Sequence, residues 1–251
     1  MKIVVEKVDD FVSLLDVMKE FYSEITLYLN DKFMLVKCMD HANICLIDLK
    51  IFNLFFKSYD VKDVPDFSFK IVDFIDILKT VEKEEKLELS ISEDQGYILM
   101  NVIGKLNRNY RMPLIGKQQE LSDKDAEILK KELNISLKLD KDKLLYIMKA
   151  LKPVGSSTDI PKVMFIIKDK QFIMRRDSGI KHGEVFFCKS EFDDTKAGYN
   201  WDYINKMVKL VNNFDSIELF YAKDLPMVLE LKKLNAYILR FTLAPMVEQN
   251  D

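Results

Sequence analysis

The chain is poor in the residues that build loops, metal sites and phosphate cradles. Only 7 glycines and 6 prolines occur in 251 residues, too few for a disordered or low-complexity protein. A content of 48% hydrophobic and 31% charged residues is that of a folded globular chain. No apolar run approaches the roughly 18 residues that a membrane-spanning helix needs. Met1-Lys2-Ile3-Val4-Val5 enters a strand-like pattern with no signal-peptide features, so an intracellular protein with no membrane partner is expected. The cysteines Cys38, Cys45 and Cys188 form no C-x-x-C pair, and each lies among apolar residues, the pattern of buried free thiols.

Reactive constellations are equally scarce. His41 and His182 are the only histidines; they lie far apart in the sequence and in no metal-ligand spacing. The glycines form neither G-x-G-x-x-G nor a P-loop, and no G-x-S-x-G nucleophile elbow occurs. Carboxylates such as Asp73 with Asp76, or Glu82 with Glu84-Glu85, are plentiful, but abundance does not make an acid–base pair. A binding or assembly protein is therefore expected, without catalytic residues, cofactor or metal. A Mg²⁺-dependent nuclease or hydrolase on scattered carboxylates is the enzyme alternative. The formal net charge of -3 excludes a generally basic nucleic-acid coat and leaves room for a segregated basic face.

What the chain does contain is repetition. "DDFVSLLDVMKEF" places Phe11, Leu14, Leu15, Met18 and Phe21 at helical spacing, and "EITLYLNDKFMLVKCMD" follows as two alternating runs joined at Asn30-Asp31-Lys32. In the second half "KDKLLYIMKALKPV" is again an amphipathic helix. "KVMFIIKDKQFIMRRDS" is again strand, turn and strand about Lys168-Asp169-Lys170. "KIVDFIDILKTVEKEEKLELSI" likewise lines up with "YNWDYINKMVKLVNNFDSIELFY". Each half reads strand, helix, three strands, helix, three strands, an α+β duplication with antiparallel sheets. The expected boundaries are residues 1–115 and 134–251, joined by a polar connector at 116–133.

Four helices at equivalent places would share one surface, so their polar faces matter. The third carries Lys141, Lys143, Lys149 and Lys152, the fourth Lys206 and Lys209, and the second Lys79 and Lys83. The first opposes Asp10, Asp16 and Glu20 to Lys19. A lysine face of this kind attracts phosphates without reading bases.

At two stretches the chain resembles the DNA sliding clamps of the proliferating cell nuclear antigen family, the archaeal ones most closely. These are "CMDHANICLIDLKIFNLFFKSYDV" and "YAKDLPMVLEL" with "AYILRFTLAPMVE". The resemblance covers essentially the whole chain. It implies two similar clamp domains per subunit and three subunits closing a pseudo-sixfold ring around duplex DNA, helices inward and sheets outward. It implies a processivity factor, cytoplasmic and nucleoid-associated, or nuclear in a eukaryote. The partners would be double-stranded DNA, other clamp subunits in a homo- or heterotrimer, DNA polymerase, flap endonuclease, DNA ligase and a clamp loader.

Residue by residue, the inner-face basic positions fall on Lys79, Lys149 and Lys209, to which helical spacing adds Lys83, Lys141, Lys143, Lys152 and Lys206. Asp76 and Asp202 stand where other clamps are basic, which motivates a second reading: a diverged scaffold subunit with little direct DNA contact. Ring closure is implied for the edge strands "NRNYRMPL" and "EVFFCKS", with Arg108, Tyr110 and Met112 on one side and Val185, Phe186 and Phe187 on the other. A pocket for partner peptides is implied at Met39, Ile44, Leu121, Ile128, Leu225, Pro226, Leu243, Ala244, Pro245 and Val247. Thr242 occupies a position where an aromatic is common.

Overall fold

The computed structural model describes residues 1–62, 64–116, 129, 131–155, 160–179 and 181–246, the side chain of Val17 excepted. Leu121, Ile128 and Val247 lie outside the described residues. The chain divides into two compact units, Met1–Leu121 with Lys233–Leu239, and Ser122–Lys232 with Arg240–Asp251. The fold is mixed helix and antiparallel sheet.

In the first unit β1 (Lys2–Val5) leads into α1 (Val8–Met18). Then come β2 (Glu24–Leu29), β3 (Phe33–Met39), β4 (Cys45–Phe52), β5 (Ser58–Asp60) and β6 (Phe67–Lys70). The helix α2 (Ile71–Leu78) and the strands β7 (Lys86–Ile91), β8 (Tyr97–Ile103) and β9 (Arg108–Pro113) complete it. One sheet runs β5-β1-β7-β8-β9, and a second run of strands is β4-β3-β2-β6. The helices close over this framework because their apolar residues recur on one side. Phe11, Leu14, Leu15 and Met18 of α1 are buried, as are Ile71, Phe74, Ile75 and Leu78 of α2. Phe11 lies edge-on to Phe74 and Phe56, and Phe74 sits 4.7 Å from Phe69, an aromatic centre with the tilted geometry that ring quadrupoles favour.

The second unit repeats the order. It comprises β10 (Ile135–Lys138), α3 (Lys141–Leu151), β11 (Lys162–Lys168), β12 (Gln171–Ser178), β13 (Lys181–Lys189) and β14 (Thr195–Asn200). Then follow α4 (Trp201–Val208), β15 (Ser216–Tyr221), β16 (Met227–Lys233) and β17 (Tyr237–Leu243), of which Lys233 and Tyr237–Leu239 count with the first unit. Its strands run β13-β12-β11-β14 and β10-β15-β16-β17. Phe165, Phe172, Tyr199 and Tyr221 form its aromatic centre. Both helices are capped by a side chain: Asp140 accepts from the Lys143 amide at 2.8 Å, and Asn200 from the Asp202 amide at 2.9 Å.

The strand count between helices differs from the expected three. The first unit has five and the second four, because the short β5, β6 and β14 precede or approach a helix. "FSFK" alternates, but over four residues only, and "TKAGYN" carries a glycine and three polar residues, so neither carries a strong strand pattern. The corresponding turns are also built differently. Asn30 accepts from the Lys32 and Phe33 amides through its side chain, whereas Asp169 and Lys170 both take left-handed backbone with φ of 50° and 58°, the requirement of a two-residue hairpin.

Candidate functional site

The helix lysines occupy unlike surroundings in the two units. In the first, Lys79 stands at the end of α2 and donates to Asp16 Oδ1 of α1 at 2.7 Å, while Lys19 donates to the same oxygen at 2.6 Å. Partial burial alone would raise the Asp16 pKa, but the hydrogen bonds from the two ammoniums outweigh it and hold the carboxyl below its usual range. Lys83 lines a cleft with Glu6, Asp9, Asp10 and Glu82. Asp9 and Asp10 sit in the first turn of α1, where the helix dipole favours acids.

In the second unit Lys149 lies in the last turn of α3, where the dipole favours a cation, and both it and Lys152 are exposed. Among the described residues no carboxylate pairs with either. Lys141 opens α3 and is half-buried. Lys143 turns toward β13, its ammonium 4.9 Å from the centre of the Phe186 ring. Lys206 lies 5.8 Å from the Tyr203 ring, and Lys209 follows the end of α4 and is exposed.

The two expected closure strands are both sheet edges. β9 is the last strand of its sheet and β13 the last of its own. Within them the side chains divide. Arg108 is paired with Glu85 and donates to the Thr80 carbonyl at 2.9 Å. Tyr110 is half-buried, its hydroxyl 3.4 Å from that of Thr80. Met112 and Phe187 point inward, at 4% and 1% exposure, so they are core residues and leave the edge surface to their neighbours. Phe186 is 44% exposed and Val185 half-buried. The β12–β13 register shifts between Phe172 and Ile173, a bulge that leaves Phe187 without a cross-strand partner while its ring packs on Phe172. Sequence reading missed Tyr146, which is 70% exposed. It stands three residues after Lys143 on α3, and that spacing was the available signal.

The apolar residues assigned to partner binding fall into two groups, one in each unit. Met39 and Ile44 bracket a tight hairpin in the first. Asp40 Oδ1 accepts from the Ile44 and Cys45 amides, each at 2.8 Å, and Asn43 takes φ 56°, a conformation asparagine tolerates. Both apolar side chains remain partly exposed. Beside Met39 lies a polar cleft of about 260 Å³ lined by Tyr22, Glu24, Lys37, Asp40 and His41, of which the sequence drew attention to His41 alone.

In the second unit the Tyr199 hydroxyl donates to the Leu225 carbonyl at 3.1 Å, and the Met246 amide to the Gly198 carbonyl at 2.8 Å. These bonds hold the Leu225-Pro226 turn and the Ala244-Pro245-Met246 segment against β14. Leu225, Pro226, Ala244 and Pro245 are half-buried, as is Thr242. Leu243 is fully buried and belongs to the core. Leu129 and Leu133 pack with Leu225 around Ala222 and Val228.

No family model matches the chain. Among curated proteins it is 23% identical over 256 residues to the DNA polymerase sliding clamp of Pyrococcus furiosus, and 24% identical over 258 residues to DNA polymerase sliding clamp 1 of Thermococcus kodakarensis, covering 99% of each chain in both cases. Among solved structures it is similar to the proliferating cell nuclear antigen of Thermococcus kodakaraensis, with a TM-score of 0.81 and 18% identity over 98% of this chain and 99% of that one. It is also similar to a chain of the PCNA2-PCNA3 complex of Sulfolobus tokodaii, with a TM-score of 0.82 and 22% identity over 99% and 100% of the two chains. The likeness to these DNA polymerase sliding clamps in sequence, and to the proliferating cell nuclear antigen structures in fold, runs from end to end.

Proposed function

We propose that this chain is a subunit of a ring-shaped DNA sliding clamp, a processivity factor that encircles duplex DNA and tethers replication and repair enzymes. The observation that carries the reading is the end-to-end match, in sequence and fold, to archaeal sliding clamps. Residues 1–115 and 134–251 act as the two clamp domains and 116–133 as their connector, in a trimer of identical or related subunits. Among the described residues β9 and β13 end their sheets, which supports closure by strand pairing, since an unpaired edge otherwise invites aggregation. The lysines of α3 and α4 supply nonspecific phosphate contacts. Retention then comes from encirclement, so affinity need not be high.

Met39 and Ile44 in one unit, and Leu225, Pro226, Ala244 and Pro245 in the other, receive apolar and aromatic anchors of partner peptides from DNA polymerase, flap endonuclease, DNA ligase and the clamp loader. The role is assembly rather than catalysis, carried out in the cytoplasm on the nucleoid. Mass measured in solution, for the chain alone and mixed with any paralogous clamp subunits, should reveal a trimer. A strict monomer under both conditions overturns the ring. In a primer-extension assay the assembled ring should lengthen the products of its polymerase.

A further inference from the structure

The helices of the two units carry opposite charge. Within their bounds α1 and α2 contain Asp9, Asp10, Asp16, Asp73 and Asp76 and no basic residue. By contrast, α3 and α4 contain Lys141, Lys143, Lys149 and Lys206 against Asp142 and Asp202. The basic residues that follow the C-terminal ends of the two acidic helices are Lys19 and Lys79, and both are bound to a single oxygen of Asp16. Asp76 adds to the negative potential at Lys19, whose pKa is raised chiefly by the hydrogen bond from its ammonium to Asp16. The three side chains are between 35% and 45% exposed, so this is a surface cluster. An exposed pair of this kind contributes little to stability; its larger effect is on the potential that an approaching polyanion meets.

We infer that Asp16 masks Lys79 and Lys19 from DNA, so that the clamp holds the duplex through the α3–α4 lysines of its second unit while the α1–α2 face of the first adds no attraction. The inference rests on the proposed DNA-facing role of the helices and gives Asp16 a part in positioning the duplex. In a fully basic ring every unit would grip equally. Here each subunit alternates a gripping face with a neutral or repelling one, which lowers the number of phosphates neutralised at any moment. Fewer displaced counterions mean a weaker and less salt-sensitive hold, suited to a ring that must slide.

The test is a salt titration of the full-length clamp on a labelled linear duplex, read by fluorescence anisotropy. Asp16→Asn should tighten binding about two- to fivefold at low salt, the size expected when an exposed ion pair is released. It should also steepen the dependence of log K on log salt by roughly 0.9 for each lysine freed. The gain should vanish in Asp16→Asn combined with Lys79→Gln and Lys19→Gln, and Asp16→Glu, which keeps the carboxylate, should restore the original slope. No tightening in Asp16→Asn, or a gain that survives loss of both lysines, overturns the masking. Lys149→Gln with Lys209→Gln separates this from the parent reading. If that pair weakens binding while Asp16→Asn does nothing, the DNA face stands and the masking fails; if neither matters, both fail.

Discussion

The first and second units share an order of elements and an aromatic centre, yet their helices face solvent with opposite charge. Phe11, Phe69 and Phe74 in one unit and Phe165, Phe172 and Tyr221 in the other fill equivalent interiors. On the helix surfaces Asp16 and Asp76 in the first are set against Lys149 and Lys206 in the second. The difference teaches that a duplicated fold constrains the buried stripe of each helix and leaves the exposed stripe open to diverge. Packing penalises a lost ring by kilocalories, whereas a surface charge reversal usually shifts stability by less than about 0.5 kcal/mol.

The strongest way to break the comparison is to damage each core in turn. Phe74→Ala and Phe172→Ala each remove a fully buried ring and should each cost about 3–5 kcal/mol in denaturant unfolding. A large cost in one unit only would show that the interiors are not equivalent. Next in size is the charge contrast itself. Replacing Lys149, Lys152 and Lys209 together with Ala should lower the salt slope of DNA binding by roughly 0.9 per lysine and abolish polymerase stimulation. Asp73→Asn with Asp76→Asn should instead leave stimulation intact and tighten binding modestly. Equal losses from both sets would erase the distinction between the units.

A smaller effect sharpens the comparison at the helix starts. α3 and α4 begin at Asp140 and Asn200, whose side chains cap amides, whereas α2 begins at Lys70, which makes no side-chain cap. Asp140→Ala or Asn200→Ala should cost about 1 kcal/mol in thermal or denaturant melts, and Lys70→Ala much less. The smallest effect concerns thiols. Burial pushes the Cys38 pKa up to about 12, and Cys45 is fully buried. Cys188 is half-buried, and its thiol is raised by burial against an opposing pull from Lys143. Since the thiolate is the reactive form, Ellman titration of the native protein near pH 8 should detect Cys188 slowly and the other two only after unfolding.

Much of this was legible from residue order. The 3.6-residue spacing of Phe11, Leu14, Leu15 and Met18 marks a helix whatever covers it, and all four are buried. The β3 and β12 hairpins were legible from alternation and turn residues. The strands before α2 and α4 were not, because four residues, or six with a glycine, carry too little pattern. Among the site residues, Met112, Phe187 and Leu243 were assigned to the interface or the partner pocket through the resemblance, and are buried. In Phe186-Phe187 a bulge decides which ring turns inward, and a bulge has no composition signal.

The sequence by itself determined the duplication, the antiparallel α+β class, the lack of a recognisable catalytic or phosphate-cradling motif and the unequal distribution of lysine between the halves. These follow from periodicity and residue type, which act locally along the chain. Only the tertiary structure decided that Asp16 and Lys79, 63 positions apart, share a hydrogen bond, that Lys143 covers an aromatic ring, and that β9 and β13 end their sheets. Those depend on which elements pack together. A charge is attractive, masked or repelling according to neighbours that chain order does not specify.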